Sequence, residues 1–258
     1  MELADKRIIV TGCASGMGAA TVRAYVNAGA RVVGMDINDD QGRQVCLEAT
    51  EQGSGIASYL HIDVADFGSV STAFAAAVDE VGGLDALAHP AAIHQMGSAT
   101  EVSTDDWDRV FAINVRGTML TNQAAFPYLK ANGGGSIINF GSISGQRPEP
   151  TSAAYSASKG AVHSWTRTAA GTWGGDRVRV NAVLPAIATP MYHAARANMT
   201  DAQNETSYWR NLQSIALGEE YGDPDEDLGP VMVFLASDAS KFITGQLIPV
   251  DGGQHNVR

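Results

Sequence analysis

Seven short runs rich in β-branched and other apolar residues recur along the chain, at 7–10, 31–35, 57–62, 86–88, 136–140, 178–183 and 247–250. Between them, the segments 18–28, 67–81, 104–130 and 153–173 are long enough and rich enough in alanine to form helices. Strand alternating with helix in this way predicts an α/β fold. It is expected to be a doubly wound, seven-stranded parallel sheet of Rossmann type with helices on both faces. No Pro-rich or Ser-rich linker, internal repeat or low-complexity tract interrupts the rhythm, so residues 1–258 read as a single domain. Pro127 lies late in the stretch 104–130 and is expected to bend or end that helix. Residues 188–217 break the pattern, with Met191, Tyr192, Met199, Tyr208 and Trp209 among polar residues. That segment reads either as a lid over a substrate or as a surface helical pair packed on the core.

Composition narrows the function classes. Of 258 residues, 45% are apolar and 17% charged, with 28 scattered glycines, which fits a packed globular domain rather than a disordered or fibrous chain. A formal net charge of −11 opposes nucleic-acid binding, which draws its affinity from clustered Lys and Arg. Cys13 and Cys46 lack the spacing of a zinc site or redox pair, so neither a metal nor a disulfide is expected. The polar start before Ile8 has no signal-peptide character, and the longest apolar run, 231–236, is far short of the ~20 residues that span a bilayer. A cytoplasmic protein without a membrane partner is expected, and the N-x-S/T matches at Asn198 and Asn204 carry no weight.

Candidate chemistry gathers at the ends of the strand candidates. The first runs into Thr11-Gly12-Cys13-Ala14-Ser15-Gly16-Met17-Gly18 and on into a helical stretch. Glycines there permit a tight turn and close backbone approach, so that a pyrophosphate can rest on the amides and positive dipole end of the helix. A glycine pattern alone is weak evidence, but a strand before it and a helix after it supply the required context. The second strand candidate ends at Asp36, 18 residues past Gly18, where a carboxylate can bond the adenosine ribose hydroxyls. Asp36 would repel a 2′-phosphate, and neither Ser15 nor Ile37 offers the cation NADP wants, so NAD(H) is the expected cofactor. Asp36 could instead cap the following helix.

Tyr155 and Lys159 stand four apart in a predicted helix and share its face. A free tyrosine has a pKa of about 10, but a nearby ammonium and a bound, positively charged nicotinamide both favour the phenolate. That makes Tyr155 usable for proton transfer. Singly, such residues have ordinary structural roles; their coincidence beside a dinucleotide loop points to chemistry.

Together these residues resemble the short-chain dehydrogenase/reductase family, over essentially the whole chain. Thr11-Gly-x-x-x-Gly-x-Gly18 looks like its cofactor loop and Tyr155-x-x-x-Lys159 like its catalytic pair. Asp63-Val64 resembles its adenine contact, Asn114 its helix asparagine, and Ser142, 13 residues before Tyr155, its catalytic serine. The resemblance implies that Gly12, Ser15, Gly16, Met17, Gly18, Asp36, Ile37, Asp63 and Val64 hold one end of NAD(H). Tyr155, Lys159, Pro185, Ile187 and Thr189 would hold the nicotinamide end. It further implies that Ser142 bonds the substrate oxygen and that Asn114 holds a water linking Lys159 to solvent; no metal ligand set is expected in the site. The expected reaction interconverts a secondary alcohol and a ketone by hydride transfer, with Tyr155 as acid/base. A homotetramer built through the helices from Thr104 and Ala153 and the C-terminal strand region is also implied.

Two stretches depart from that family's pattern. Where Asn-Asn-Ala-Gly is usual, this chain has His89-Pro90-Ala91-Ala92, and His89 is expected to take over the asparagine's hydrogen bonds as a structural residue. The segment Pro185-Ala186-Ile187-Ala188-Thr189-Pro190 is one residue short, and Ile187 and Thr189 are still expected to meet the carboxamide. His94, Ser144, Gln146, Arg147, Tyr192 and Trp209 are candidates for the substrate cleft because they follow strand ends. Two other readings stay open: an NADPH-dependent ketone reductase, and a non-catalytic NAD(H)-binding redox sensor suggested by the altered turn at His89.

Overall fold

The computed structural model describes residues 2–197, 200 and 212–254. Its strands are β1 (Arg7–Thr11), β2 (Arg31–Asp36), β3 (Ile56–His61), β4 (Ala86–His89), β5 (Gly135–Phe140), β6 (Val178–Pro185) and β7 (Leu247–Val250). All pair in parallel, in the order β3-β2-β1-β4-β5-β6-β7. The doubly wound sheet is therefore as expected. β1, β4, β5 and β6 are buried along almost their whole length, which is why they read as continuous apolar runs rather than alternating ones. Successive side chains of β1 feed opposite layers. Ile8 and Val10 join Tyr25, Val32 and Met232 in one core, and Ile9 joins Phe74, Leu87 and Ile137 in the other.

Helices α1 (Gly16–Asn27), α2 (Asp39–Gln52) and α8 (Gly229–Ala236) contribute to the first layer, and α3 (Phe67–Val81), α5 (Gly117–Ala131) and α6 (Ala153–Trp173) to the second. Their ends are marked locally. Asn38 caps α2 by accepting from the Gln41 amide at 3.3 Å, Asp66 caps α3 through the Ser69 amide at 2.6 Å, and Gly82 closes α3 at φ 80°. Between the layers, Asn122 and Asn139 exchange two amide bonds of 3.0 Å. Trp165 Nε1 and Thr166 Oγ1 complete that buried set and fix α5 and α6 against β5.

The stretch 104–130 is not one helix. It divides into α4 (Thr104–Phe111), a π-helical turn at Ala112–Arg116, and α5. Pro127 does not end α5, which runs on to Ala131. Gln123, whose carbonyl a proline cannot serve, lies on the exposed side with Pro127, so water can pair it. Cys13 and Cys46 are both buried thiols. They meet over Gly34, where a Cβ would lie 2.6 Å from Cys46 Sγ and 3.1 Å from Cys13 Sγ. Among the described residues, no helix is long and apolar enough to cross a membrane. The strand order reverses between β1 and β4, and their C-terminal ends open the crevice in which α/β sheets of this kind take ligands.

Candidate active site

A cleft of about 370 Å3 follows the C-terminal edge of the sheet. One end is built by the loop after β1. Gly12 sits at φ 64°, and a Cβ there would lie 2.7 Å from the backbone of Ala91 on the neighbouring turn; a Cβ on Gly18 would collide with the Gly12 carbonyl. Only glycine lets these three backbones close. Ser15 precedes α1 in extended conformation and makes no side-chain cap bond, leaving the first amides of a 12-residue helix for an anion.

Asp36 accepts from the Ala14 amide at 3.0 Å and from the Asn38 amide at 2.9 Å, tying the β1 loop to the end of β2. Because Asn38 caps α2, Asp36 does not serve as its cap. Ile37, Asp63 and Val64 line the cleft beside it. A backbone cradle for a pyrophosphate and a carboxylate for ribose hydroxyls thus stand in sequence, and the residues fit a nicotinamide dinucleotide.

At the other end, α6 carries Tyr155 and Lys159 one turn apart. Lys159 is buried and donates to the Phe140 carbonyl at 2.8 Å; its Nζ lies 5.5 Å from the centre of the Tyr155 ring. Burial pulls the Lys159 ammonium down to about 8. Burial pushes the Tyr155 phenol above its ordinary value, against the hydrogen bond with Ser142, and the charge of Glu149 adds to the rise. The expected help from the ammonium and a bound nicotinamide concerns the site with its cofactor; in the protein alone burial dominates.

His89, at the end of β4, ties neighbouring elements together. Its Nδ1 pairs with Thr11 Oγ1 at 2.7 Å and Thr121 Oγ1 at 3.2 Å, joining β4 to β1 and α5. Burial, then the charge of Lys159, hold it neutral with a pKa of about 3. Asn114, in the π-helical turn, accepts from the Ile93 amide and donates to the Ile93 carbonyl, both at 2.9 Å, and donates to Ser158 Oγ at 3.1 Å. It braces the loop after β4 against α6. Pro185 and Thr189 line the cleft, but Ile187 does not. The Ile187 side chain packs in the core and Pro190 also lines the cleft; the bridge to Gly222 is made by the Ala186 carbonyl and the Ala188 amide, so it does not use the Ile187 main-chain groups expected to meet the carboxamide.

Among the substrate candidates, His94 lines the cleft, with its ring edge-on to Tyr155 at 4.7 Å and its Nε2 held by Ser152 Oγ at 3.0 Å. Ser144 is buried beside Ser142, and its hydroxyl donates to Glu149 at 3.4 Å. Tyr192 packs on Tyr221 at 4.7 Å, Gln146 is exposed and Arg147 half-buried. Trp209 lies outside the described residues, as does most of the second half of the 188–217 segment; its first half contains helix α7 (Pro190–Ala197).

Residues 12–255 match the family model described as enoyl-(acyl carrier protein) reductase. The 2,5-dichloro-2,5-cyclohexadiene-1,4-diol dehydrogenase LinX of Sphingobium indicum is 37% identical over 98% of this chain and 97% of its own. The meso-2,3-butanediol dehydrogenase of Serratia marcescens is 36% identical over 98% and 96%. A solved short-chain type dehydrogenase/reductase from Mycobacterium ulcerans superposes with a TM-score of 0.90 at 30% identity, over 98% of this chain and 91% of that one. The chain belongs to the short-chain dehydrogenase/reductase family.

As an oxidoreductase of this family, the protein brings Ser142, Tyr155 and Lys159 to one cleft with Gly12, Ser15, Gly16, Met17, Gly18 and Asp36. Sequence reasoning overlooked Glu149 and His163. Glu149 stands in a proline-flanked turn that carries no motif. His163 left a signal, since it continues the spacing of Tyr155 and Lys159 by four more residues along this dehydrogenase's α6.

Proposed function

We propose that this chain is an NAD(H)-dependent dehydrogenase that interconverts a secondary alcohol and its ketone, the alcohol being a small ring or chain with a second hydroxyl. The reading is carried by one observation: Tyr155, Ser142 and Lys159 converge at one end of a cleft whose other end holds the Asp36 carboxylate. Gly12, Ser15, Gly16, Met17 and Gly18 cradle the pyrophosphate, Asp36 takes the ribose hydroxyls, and Lys159 takes those of the nicotinamide ribose. When bound, the oxidised nicotinamide supplies the hydride acceptor and a positive charge that favours the Tyr155 phenolate. Tyr155 takes the alcohol proton at its phenolic oxygen. Ser142 Oγ accepts from the Ser144 amide at 3.1 Å, so its hydrogen, shared with Tyr155 in the protein alone, can turn to the substrate oxygen. Asn114 acts as the brace that keeps this end assembled.

The second hydroxyl is assigned to Glu149. None of the ion pairs among the described residues involves Glu149, and its charge is felt by Tyr155, His94 and Tyr221. A carboxylate so placed accepts from a hydroxyl and repels an acid. The relatives named for diols support this substrate class. Of the segment expected to form a substrate lid over this single domain, helix α7 and residues 212–217 are described, and 198–199 and 201–211 lie outside the described residues. The homotetramer is built on the α4–α6 face, where Phe111, Met119 and Trp165 line a groove, and on the C-terminal region, where Phe242 is fully exposed.

Nicotinamide absorbance tests the reading with NAD or NADP and cyclic and linear alcohols and diols, beside Tyr155→Phe. NADH formation that fails with NADP and disappears in the variant is the expected result. Faster turnover with NADP would favour an NADPH-linked reductase, and NADH binding without turnover on any substrate would favour a redox sensor.

A further inference from the structure

Ser142 lies one residue beyond the last sheet bond of β5, in which Gly141 donates to the Val183 carbonyl at 2.9 Å. On its other side, β4 pairs no farther than His89 with Asn139. The Ser142 amide therefore emerges where the sheet has no carbonyl left to offer. It donates to His163 Nε2 at 3.3 Å, and His163 is 2% exposed. Accepting there leaves the proton of the neutral ring on Nδ1.

The ring is wedged in by two glycines. A Cβ on Gly141 would lie 2.5 Å from His163 Nε2, and one on Gly145 would lie 2.7 Å from its Cε1. At Gly141 the imidazole fills the space of a side chain, and at Gly145 the imidazole and the α6 backbone at Lys159 and Gly160 fill it together. Tyr155, Lys159 and His163 recur every four residues on α6, so one stripe of that helix carries all three. Among the described residues, α6 is tied to the end of β5 and its turn by Lys159 on the Phe140 carbonyl, His163 on the Ser142 amide, Ser156 on the Ser144 carbonyl, Thr166 on Asn139, and a side-chain bond between Tyr155 and Ser142. Only the His163 bond grips Ser142's own backbone from α6. Of the other bonds to Ser142, those from the Ser144 amide to Oγ and from the Gly145 amide to its carbonyl stay within the turn, and the bond with Tyr155 joins only the two side chains.

We propose that His163 is a positioning residue that sets the distance between Ser142 and Tyr155 by holding the Ser142 amide to the same helix face that carries Tyr155 and Lys159. The inference rests on the reading of Ser142 and Tyr155 as the groups that act on the substrate. Without His163 the serine turn drifts relative to the helix, and an error of this kind well away from the reacting atoms can cost about a hundredfold.

The test is a double-mutant cycle of His163→Leu with Ser142→Ala, measuring kcat, KM, the NADH dissociation constant by fluorescence, and the unfolding temperature. His163→Leu alone is expected to lower kcat by about tenfold to a hundredfold, with NADH binding unchanged. In the Ser142→Ala background it is expected to change kcat by less than about twofold, because no positioned hydroxyl remains to lose. His163→Gln, which can return an acceptor to the Nε2 position, is expected to restore most of the loss. An equal loss in both backgrounds would overturn the proposal, as would full activity of His163→Leu. If His163→Leu does not fold, His163→Asn takes its place under the same criteria. A Ser142→Ala variant as active as the wild type would instead overturn the underlying reading of Ser142.

Discussion

Lys159 should make the folded protein less stable at neutral pH than it would be without the charge. Burial brings its pKa from 10.5 to about 8, and at about 1.36 kcal/mol per pKa unit this penalty is about 3 kcal/mol at pH 7. In the unfolded chain the amine stays charged up to its ordinary value, so between the two pKa values folding releases a proton. The stability of the wild type therefore rises with pH through the window from about 8 to 10.5. Lys159→Met keeps the side-chain length and removes the charge. It also deprives the Phe140 carbonyl of its donor, which costs about 1–3 kcal/mol. At pH 7 the variant is expected to be more stable by about 1 kcal/mol, or ~2–4 °C in unfolding temperature for a chain near this size. By pH 10 most of the charge penalty has gone from the wild type, so the variant's advantage disappears and the lost hydrogen bond makes it the less stable protein. Calorimetry of both proteins at pH 7 and 10 reads this directly, alongside turnover, which the variant loses. An offset that keeps its sign and size at both pH values would refute the reasoning.

Two further outcomes are expected. Asp85 is partly buried, which works against its charge, but hydrogen bonds from the Arg7 side chain and amide outweigh this and hold its pKa below the ordinary value. Its contribution is present above about pH 4 and lost as pH falls through the lower folded value. Asp85→Asn should therefore lower the unfolding temperature at pH 7 by ~6–12 °C, for a loss of about 3 kcal/mol, and the gap should narrow on acidification; a gap that widens would contradict it. Glu149 raises the Tyr155 pKa, so Glu149→Gln should move the rising limb of the kcat/KM profile for alcohol oxidation to lower pH. A shift to higher pH would show that the two groups are not coupled as described.

The sheet was legible because parallel strands buried on both faces leave continuous apolar runs, and Ile8-Ile9-Val10 is one. The cofactor end was legible because backbone crowding admits only glycine at 12 and 18. What stayed hidden depended on tertiary contact. The π-helical turn carries Asn114, which bonds Ile93 and Ser158, distant in sequence, and local alanine content gives no sign of it. The inward packing of the Ile187 side chain goes with a bridge to Gly222, distant in sequence, which its place after a strand end does not reveal. The phenol's rise could not be read from spacing, because position i+4 says that Lys159 is near Tyr155 and nothing of how dry both are.

The meeting of Cys13 and Cys46 over Gly34 has a practical side. Cys13 lies inside the cofactor loop and Cys46 on α2, with 0% and 2% of their surfaces exposed. A maleimide or aromatic disulfide reagent can reach them only when the loop and α2 separate. The rate of thiol labelling under native conditions therefore counts openings of the nucleotide end of the molecule, without global unfolding or any added chromophore in the fold. A bound dinucleotide that holds the loop to Asp36 should slow that clock, so the protein's own two sulfurs serve as a gauge of cofactor occupancy.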